Sequence, residues 1–255
     1  ITTNTAMALY STEALILRTY RLGEADRIVV FLTSDRGKKR GVAKGARRTK
    51  SRFLGALEPL TQVQVVYYER ENRDLVSLND IETVWSPLAT RQPDSLLYVS
   101  YFAELIDAWA LEANPDQRLY RLGASVLEAM VIGAPINQLA RYFEYWLLRL
   151  QGVYPSLIIC QTCSTDLAMS GARVLESDGV FVCQNCGPVG RGAVLSSGAV
   201  VFLRALAKVR PQDLAKVSLT LRANKELEVA HRMLITTHLE KELRSNRVLQ
   251  ELNPS

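Results

Sequence analysis

The chain has 255 residues, of which 48% are hydrophobic and 22% are charged, so it can bury a sizeable core as one large domain or as two to three small ones. No apolar run approaches the roughly 20 residues that a membrane-spanning helix needs, and the start lacks the pattern of a secretory signal. We therefore expect a cytoplasmic, globular protein without a membrane partner. Residues 1–6 do not resemble the start of a domain and are left out of the fold prediction.

Five short runs rich in apolar and β-branched residues predict strands in the N-terminal part of the chain. They cover residues 13–22, 26–33, 38–47, 58–70 and 75–85. Turn residues separate the runs, beginning with Gly23, and the third strand is expected to bend or bulge at Gly41 and Gly45. Antiparallel strands of this number and length predict a small barrel or sandwich.

A domain boundary is predicted at residues 86–94, where two prolines interrupt the pattern. Beyond it the apolar period lengthens from two to about three and a half, which indicates helices. The predicted helices cover residues 95–112, 116–133, 136–152, 196–209 and 224–249. The clearest apolar face belongs to the third of these helices and consists of Leu139, Tyr142, Phe143, Trp146, Leu147 and Leu150.

Four cysteines form two C-x2-C pairs, Cys160 with Cys163 and Cys183 with Cys186, and nineteen residues separate the pairs. Each such turn presents two thiolates on one side, and a hairpin between the turns closes a tetrahedron, which is the pattern of a four-cysteine zinc site. Because the protein fills all four positions, we expect one structural zinc ion per chain and no catalytic zinc. Two disulfides, or four unrelated buried thiols, are the alternatives.

Residues 36–52, hereafter the basic segment, contain nine basic residues and no acidic one. The nine are Arg36, Lys38, Lys39, Arg40, Lys44, Arg47, Arg48, Lys50 and Arg52. The rest of the chain has 22 basic and 26 acidic residues, so the positive charge is local and predicts a local anionic partner. Interleaved glycine and hydroxyl residues let main-chain N–H groups approach phosphates, which favours a nucleic-acid-binding patch. A solvated loop is the alternative.

Three aromatic residues near the basic segment, Phe53, Tyr67 and Tyr68, are candidate stacking platforms for unpaired bases. Such rings can equally belong to a core or to half-buried sheet positions. If five phosphates of a single strand are engaged, log K for binding should fall with log salt with a slope of about −3.5.

The sequence contains no motif for nucleotide hydrolysis or covalent catalysis. It lacks a G-x-x-x-x-G-K-[ST] phosphate loop, the clustered acidic pairs of a two-metal nuclease and a G-x-S-x-G elbow. The two histidines, His231 and His238, are seven residues apart, and we expect packing or surface roles for them. We therefore predict no catalytic residues, no nucleotide cofactor and no enzymatic activity.

Taken together, these stretches resemble the RecO family of recombination-mediator DNA repair proteins. The N-terminal resemblance runs from Tyr20 to Leu60 and includes Gly23-Glu24 with Asp26, Thr33 with Gly37, Lys44-Gly45-Ala46-Arg47-Arg48, Ser51-Arg52 and Leu57-Glu58-Pro59. The helical part is similar in Tyr101-Phe102, Glu104-Leu105, Phe143-Glu144, Leu147-Leu148 and the approach to Cys160. Residues 237–245 are similar too, although Arg244 stands before the serine where the family pattern has a lysine.

The resemblance implies an α+β multidomain fold: an N-terminal five-stranded antiparallel OB-fold barrel (oligonucleotide/oligosaccharide-binding) and a C-terminal helical domain with an inserted four-cysteine zinc ribbon. The expected domains are residues 7–86 for the barrel, 87–159 and 193–255 for the two parts of the helical domain, and 160–192 for the ribbon. It also implies binding to single- and double-stranded DNA and annealing of complementary strands. The implied partners are RecR and the C-terminal tail of the single-stranded-DNA-binding protein, with loading of the recombinase RecA without ATP hydrolysis, in association with the bacterial nucleoid.

An acidic tail with an apolar end would need a hydrophobic notch flanked by arginine. The candidates are Arg118, Arg121, Arg141 and Arg149. We favour Arg141 as the anchor because it directly precedes Tyr142 of the apolar face. An ordinary surface arginine is the alternative.

The sequence thus predicts a DNA-binding, strand-annealing mediator. One alternative is an RNA-binding or transcription-associated barrel with a zinc ribbon, because a basic groove does not distinguish between nucleic acids. The other is a zinc-dependent nucleic-acid enzyme, which four thiolate ligands and the lack of an open coordination position disfavour.

Overall fold

The computed structural model describes residues 7–71, 73–154, 157–175, 180–188, 190–241 and 243–252. The chain forms two compact units, one with the residues up to Val131 together with those from Ser245 onward, and one with Ile132–Arg244. The helices that follow the strands directly therefore group with them, whereas the division predicted from the sequence separated the two at residue 86. Among the described residues, no helix has the length and apolarity that crossing a bilayer requires.

The strands of the first unit form a closed five-stranded barrel. They are β1 (Met7–Leu22), β2 (Asp26–Thr33), β3 (Lys38–Ala43), β4 (Gln62–Arg70) and β5 (Val76–Trp85). The order around the ring is β1-β2-β3-β5-β4, and β4 pairs again with β1. The prediction of a wholly antiparallel sheet is wrong at one place, because β3 and β5 run parallel. An odd number of strands cannot alternate in direction all the way around a ring, so closure forces at least one parallel pair.

β1 starts earlier than the sequence pattern predicted and serves two neighbours. Its first part, from Met7 to Leu15, pairs with β4, and its last part, from Ala14 to Leu22, pairs with β2. An irregularity between Ile16 and Arg18 lies where these two pairings meet. A bulge of this kind increases local twist and bends the strand, which lets one long strand follow the curvature of a small barrel.

Gly41 is a packing position rather than the predicted bulge. The pairing of β2 with β3 is continuous from Arg27–Ala43 to Leu32–Lys38, with no shift at Gly41. A Cβ atom at Gly41 would lie 2.8 Å from Cγ2 of Val76, inside the barrel core. The glycine therefore allows the close parallel approach of β3 and β5.

Helices pack against β1 of the barrel within the first unit. After 3-10 turns at Pro87–Ala89 and Pro93–Tyr98 come α1 (Val99–Trp109) and α2 (Gln117–Ile132), and the final helix, α7 (Arg244–Leu252), belongs to the same unit. The approach of α2 to β1 is close, because a Cβ atom at Gly123 would lie 2.6 Å from Cδ1 of Leu15 and 2.8 Å from Cδ1 of Ile106. The Ser245 N–H of α7 donates a 2.8 Å hydrogen bond to Oε2 of Glu104 on α1.

The second unit combines helices with a small sheet. Its helices are α3 (Ile136–Leu150), the single turn α4 (Leu167–Ser170), α5 (Ser197–Leu206) and α6 (Leu221–Leu239), with a 3-10 turn at Pro211–Lys216. Three short strands, β6 (Ala172–Val174), β7 (Phe181–Val182) and β8 (Ala193–Leu195), form a sheet of order β7-β6-β8. Side-chain caps from Asp166, Ser196 and Thr220 start α4, α5 and α6.

The helix predicted over residues 224–249 is wrong in its continuity. α6 ends at Leu239, and the next residue, Glu240, has a left-handed backbone with φ 52°. That conformation cannot continue a right-handed helix, so the chain starts a separate helix at Arg244. The sequence offers no glycine or proline at this point that would have marked the break.

Candidate functional site

The N-terminal end of the basic segment is tied to the helices of its own unit. Lys38 Nζ lies 3.1 Å from Oδ1 of Asp107 on α1 and donates to the Asp107 carbonyl at 2.8 Å. The main chain of Lys38 also pairs with the segment after α1, accepting from Ala113 N–H and donating to Leu111 O, each at 3.2 Å. A Cβ atom at Gly37 would lie 2.5 Å from the Asn114 backbone. Lys38 is therefore an anchor between β3 and the helices.

Arg36 and Lys39 also find partners inside the chain. Lys39 Nζ lies 2.6 Å from Oε1 of Glu69 on β4. The Arg36 guanidinium lies 3.8 Å from the centre of the Tyr10 ring and 3.6 Å from a carboxylate oxygen of Asp35. Because these internal contacts neutralise part of the positive charge at this end of the basic segment, the end attracts an external anion less strongly.

The loop between β3 and β4, residues 44–61, carries most of the remaining positive charge of the basic segment and is held to the barrel along its length. Phe53, Ala56 and Leu57 are buried in the barrel core. Where the loop ends, Leu60 N–H donates to Ile16 O at 2.7 Å, and Ile16 N–H donates to the next carbonyl of the loop at 2.9 Å. The apolar part of the loop therefore fixes the basic part against the barrel.

Five exposed cations have no counter-charge from the described part of the chain. They are Arg40, at the outer face of β3, and Lys44, Arg48, Lys50 and Arg52 in the β3–β4 loop. No carboxylate of the described residues forms an ion pair with any of them. Like charges held this close repel one another, and an external polyanion relieves that repulsion while releasing its own counterions.

Two of the three predicted stacking residues are in the core. Phe53 is 2% exposed and Tyr67 is fully buried, so neither ring is available to a nucleic-acid base. Burial also raises the pKa of the Tyr67 hydroxyl well above its ordinary value. Tyr68, which follows on the opposite face of β4, is half-buried and pairs across the strands with the exposed Leu9. Of the three, only Tyr68 keeps an accessible edge.

Two further basic residues belong to the same end of the barrel and were not predicted from the sequence. Arg21 and Arg27 face each other across the β1–β2 hairpin. Arg27 in turn pairs with Ala43, the last residue before the basic loop. The hairpin centred on residues 23–25 was recognisable, and following its register would have found this pair.

The four cysteines of the second unit come together as predicted. Their Sγ atoms all lie within 4.8 Å of one another, and the Sγ atoms of Cys163 and Cys183 are 3.6 Å apart. Tetrahedral coordination with metal–sulfur bonds of about 2.3 Å would place the sulfurs about 3.8 Å apart. Each turn is closed by its backbone, with Ser164 N–H donating to Cys160 O at 2.9 Å and Gly187 N–H donating to Cys183 O at 3.1 Å. The donor set therefore fits a metal ion.

Hydrogen bonds at this cluster favour the thiolate forms that bind metals. Burial opposes ionisation of Cys160, but N–H groups of Cys183 and Cys163 outweigh it and lower its pKa to about 6. Hydrogen bonds with Thr165 lower the pKa of Cys163. Hydrogen bonding to Cys163 and Cys183 has the opposite effect on Cys186 and raises its pKa to about 12, which opposes the ionisation that metal binding needs. A bound cation would remove that conflict.

The predicted tail anchor, Arg141, is not at the surface. Its side chain is 5% exposed and its Nη2 lies 3.1 Å from Oε1 of Glu144, one turn along α3. A buried, paired arginine cannot receive an external carboxylate without breaking that pair, so this prediction is corrected. Arg149 is exposed, donates to the Tyr145 hydroxyl at 2.8 Å and lies 5.6 Å from the Trp146 ring. Arg118 and Arg121 are exposed on α2, in the other unit.

Arg141 and Glu144 belong to a buried polar cluster that also contains Tyr154 and His231. Nδ1 of His231 lies 2.8 Å from Oε2 of Glu144, and its Nε2 lies 3.1 Å from the Tyr154 hydroxyl. Burial lowers the pKa of His231 below its ordinary 6.5, against the opposing effect of Glu144. His231 therefore has the packing role expected for it, and the second histidine, His238, is exposed.

Comparisons with known proteins find matches for both the N-terminal and the C-terminal part of the chain. A family described as "Recombination protein O N terminal" matches residues 7–87, and one described as "Recombination protein O C terminal" matches residues 91–247. The chain is 32% identical over 250 residues to a DNA repair protein RecO of Geobacter metallireducens, with 95% of the chain and 98% of the relative covered. It is 31% identical over 242 residues to one of Anaeromyxobacter sp. (94% and 95% covered). It is 39% identical over 160 residues to one of Koribacter versatilis (62% and 65% covered).

Proposed function

Since the chain belongs to the RecO family of DNA repair and recombination proteins, we propose that it binds single- and double-stranded DNA through its barrel and anneals complementary strands. The observation that carries this proposal is the set of exposed cations at Arg40 and in the β3–β4 loop, which lack carboxylate partners among the described residues. The five-stranded ring supports the expectation of an OB-fold, an architecture that commonly presents nucleic-acid-binding loops.

Neutralisation of phosphates explains how such a surface would promote annealing. Two complementary strands repel each other, and cations fixed on a rigid barrel lower that repulsion at the place where the strands meet. Contacts to phosphate carry no sequence information, so any complementary pair would be accepted. No covalent bond is made or broken in this process, which agrees with our proposal that the protein is not an enzyme and uses no nucleotide cofactor.

We also propose that the metal of the cysteine cluster is zinc with a structural role. Four sulfur donors in two C-x2-C turns suit zinc, which prefers tetrahedral thiolate ligands. When bound, the ion would supply charge compensation and folding free energy to the short strands β6 and β7. Cys160, Cys163, Cys183 and Cys186 would hold it, and the site would have no open position for a reacting water.

The proposed partners follow from the family. They are RecR and the C-terminal tail of the single-stranded-DNA-binding protein, and the role would be to assist loading of RecA on the bacterial nucleoid. Arg149 replaces Arg141 as the candidate contact for an acidic tail in the second unit, because it is exposed beside an aromatic ring. Arg118 and Arg121 are exposed candidates in the first unit.

An annealing assay without ATP tests the function. Complementary oligonucleotides, one carrying a fluorophore and one a quencher, are mixed at low salt with the wild-type chain or with the Arg40→Glu, Arg48→Glu, Lys50→Glu triple variant. We expect the wild type to accelerate pairing and the triple variant to lose most of that acceleration. A matched triple variant in the second unit, Lys208→Glu, Arg210→Glu and Arg222→Glu, changes the net charge equally and should remain active.

Each alternative has its own outcome in this assay. Faster pairing of RNA than of DNA strands would favour the RNA-binding barrel, and a shortened or altered strand would favour a nucleic-acid enzyme. Failure of the wild type to accelerate DNA pairing at low salt would contradict the proposal.

A further inference from the structure

The β3–β4 loop is attached to the turn of the β1–β2 hairpin by hydrogen bonds that include an acidic residue. Gly45 N–H donates to Oδ1 of Asp26 at 2.7 Å, and Arg47 N–H donates to Ala25 O at 2.9 Å. The guanidinium of Arg47 donates to the carbonyl oxygen of Glu24 at 2.8 Å. We call these contacts the hairpin clamp. It comes directly before the exposed cations of residues 48–52.

An acidic side chain beside a cationic surface should weaken binding to a polyanion if it acts only through its charge. The Asp26 carboxylate, however, accepts the N–H of the loop's glycine, and that glycine has φ +70°. A Cβ atom at Gly45 would meet nothing closer than 3.5 Å, so the backbone conformation rather than space makes a glycine favourable there. Asp26 therefore stabilises a backbone turn that ordinary residues rarely adopt.

Arg47 and its neighbour Arg48 differ in whether the guanidinium has a partner inside the protein. Both side chains are exposed. The Arg47 guanidinium is held by two carbonyl oxygens of the hairpin turn, those of Glu24 at 2.8 Å and Gly23 at 3.3 Å. Arg48 has no such partner among the described residues. Lysine would keep the charge at either position, but a lysine ammonium lacks the planar fork that reaches two acceptors.

We infer that Asp26 and Arg47 are positioning residues for nucleic-acid binding, and that they hold the β3–β4 loop so that Arg48, Lys50 and Arg52 are pre-arranged for phosphates. This inference rests on the proposed function. The loop has a second attachment at Phe53 in the barrel core, so the cations lie between two fixed points. Releasing the first point would leave them on a flexible segment, and binding would then carry the cost of ordering it.

The positioning role of Asp26 is tested by whether removal of its carboxylate weakens or strengthens DNA binding. Asp26→Ala and Glu24→Ala each remove one negative charge from the same hairpin, and the Glu24 carboxylate is exposed with no partner among the described residues. We expect Asp26→Ala to weaken binding of a fluorescent oligothymidylate about tenfold, the loss of a charge-assisted hydrogen bond. Glu24→Ala should leave binding unchanged or strengthen it about twofold. If Asp26→Ala also binds as tightly as the wild type or more tightly, the inference is wrong.

A second pair of variants keeps the charge constant. Arg47→Lys should weaken oligothymidylate binding about fivefold without changing the slope of log K against log salt, because the number of phosphates engaged stays the same. Arg91→Lys, at an exposed arginine outside the basic segment, should remain within about twofold of the wild type at every salt concentration. Equal behaviour of the two lysine variants would overturn the positioning role of Arg47.

Amide exchange separates failure of the clamp from failure of DNA binding. Exchange at Gly45 and Arg47 should accelerate in Asp26→Asn, which keeps one acceptor oxygen and the fold, even without nucleic acid. If the wild type does not bind DNA but exchange accelerates, the clamp is present and the proposed function is wrong. If exchange does not change, the clamp is not what holds the loop, whatever the binding result. Asp26→Asn also replaces Asp26→Ala in the binding test if circular dichroism finds that the alanine variant is unfolded.

Discussion

The β3–β4 loop and the cysteine cluster each bring together groups of one kind, cations in the loop and thiols in the cluster. The described part of the chain does not neutralise them, and their geometries differ. The loop leaves its cations exposed and spread along the barrel surface. The cluster directs four sulfurs to within 4.8 Å of one another, with two of the cysteines buried. Convergent donors fit a single small ion, whereas spread cations fit a long polyanion. Geometry therefore decides the size of the partner, and charge decides only its sign.

The buried polar cluster of the second unit is the contrasting case. Arg141, Glu144 and His231 compensate one another inside the protein, with separations of 2.8 to 3.1 Å. Groups that are matched in this way are costly to separate inside the protein and offer no open charge to a partner. The four predictions that follow test this distinction between open and matched groups, from the largest expected effect to the smallest.

Removal of the metal should have the largest effect, because coordination supplies on the order of 10 kcal/mol to the folding of such small sites. We expect one ion per chain in protein purified without chelator, and loss of amide protection in β6 and β7 when a chelator removes it. Cys183→Ser should act like the chelator, whereas Asn185→Ala, in the same turn, should keep the metal. If protein purified without chelator contains no stoichiometric metal, the converging sulfurs of the cysteine cluster do not bind an ion, and this prediction is wrong.

Truncation of the buried arginine should come next. We expect Arg141→Met to lower the free energy of unfolding by about 3 kcal/mol, because it leaves Glu144 buried without its cation. Arg149→Met, on the exposed side of the same helix, should change it by no more than about 0.5 kcal/mol. Denaturant titration measures both values. Equal values for the two variants would mean that burial does not distinguish these arginines.

Neutralising the open cations should change DNA binding without changing stability. Replacing Arg48 and Lys50 with alanine should reduce the slope of log K against log salt for single-stranded DNA by about 1.4, or about 0.7 for each phosphate contact. The control replaces Lys216 and Arg222, which are equally exposed but paired with Asp213 and Glu226. The control should keep the full slope. A reduction of the same size in the control would indicate binding through net charge alone.

The smallest effect concerns pH. Burial lowers the pKa of His231 in the folded protein, so the unfolded chain takes up a proton first as the pH falls below 6.5. The contribution of His231 to the free energy of unfolding is therefore fully present above that pH. It decreases below that pH by at most about 1.4 kcal/mol per pH unit. The free energy of unfolding, measured from pH 7 to 5.5, should decrease more in the wild type than in His231→Gln, while His238→Gln should behave like the wild type. An identical pH dependence in wild type and His231→Gln would mean that His231 is not the titrating group.

Much of the local structure follows from residue patterns. β2 has the predicted bounds, and α3 follows its apolar stripe closely. The cysteine cluster was also predictable, because each C-x2-C turn places its two sulfur atoms on the same side whatever the surrounding structure. The break between α6 and α7 was not, since Glu240 adopts a backbone conformation that its residue type does not indicate.

The roles of individual charged and aromatic residues depended on contacts distant in the sequence. Nothing beside Lys38 in the chain indicates that Asp107 is its partner, and nothing beside Arg141 indicates that it is buried. Tyr67 and Tyr68 are adjacent and of one type, yet one ring lies inside the barrel and the other on its outer face. A strand alternates its faces at every residue, so only the register around the barrel decides which ring is accessible.

The sequence by itself determined the family and predicted two kinds of partner, a polyanion and a thiolate-binding metal, because charge sign, cysteine spacing and motif order are properties of the chain. Only the tertiary structure decided which of the nine cations of the basic segment remain open. Lys38 and Lys39 pair with carboxylates that the fold brings from elsewhere. Arg36 lies over the Tyr10 ring beside its sequence neighbour Asp35, and Arg47 is held by the hairpin turn. The physical reason is that a charge is available to a partner only when no opposite group lies within a few ångströms, and that distance is set by folding.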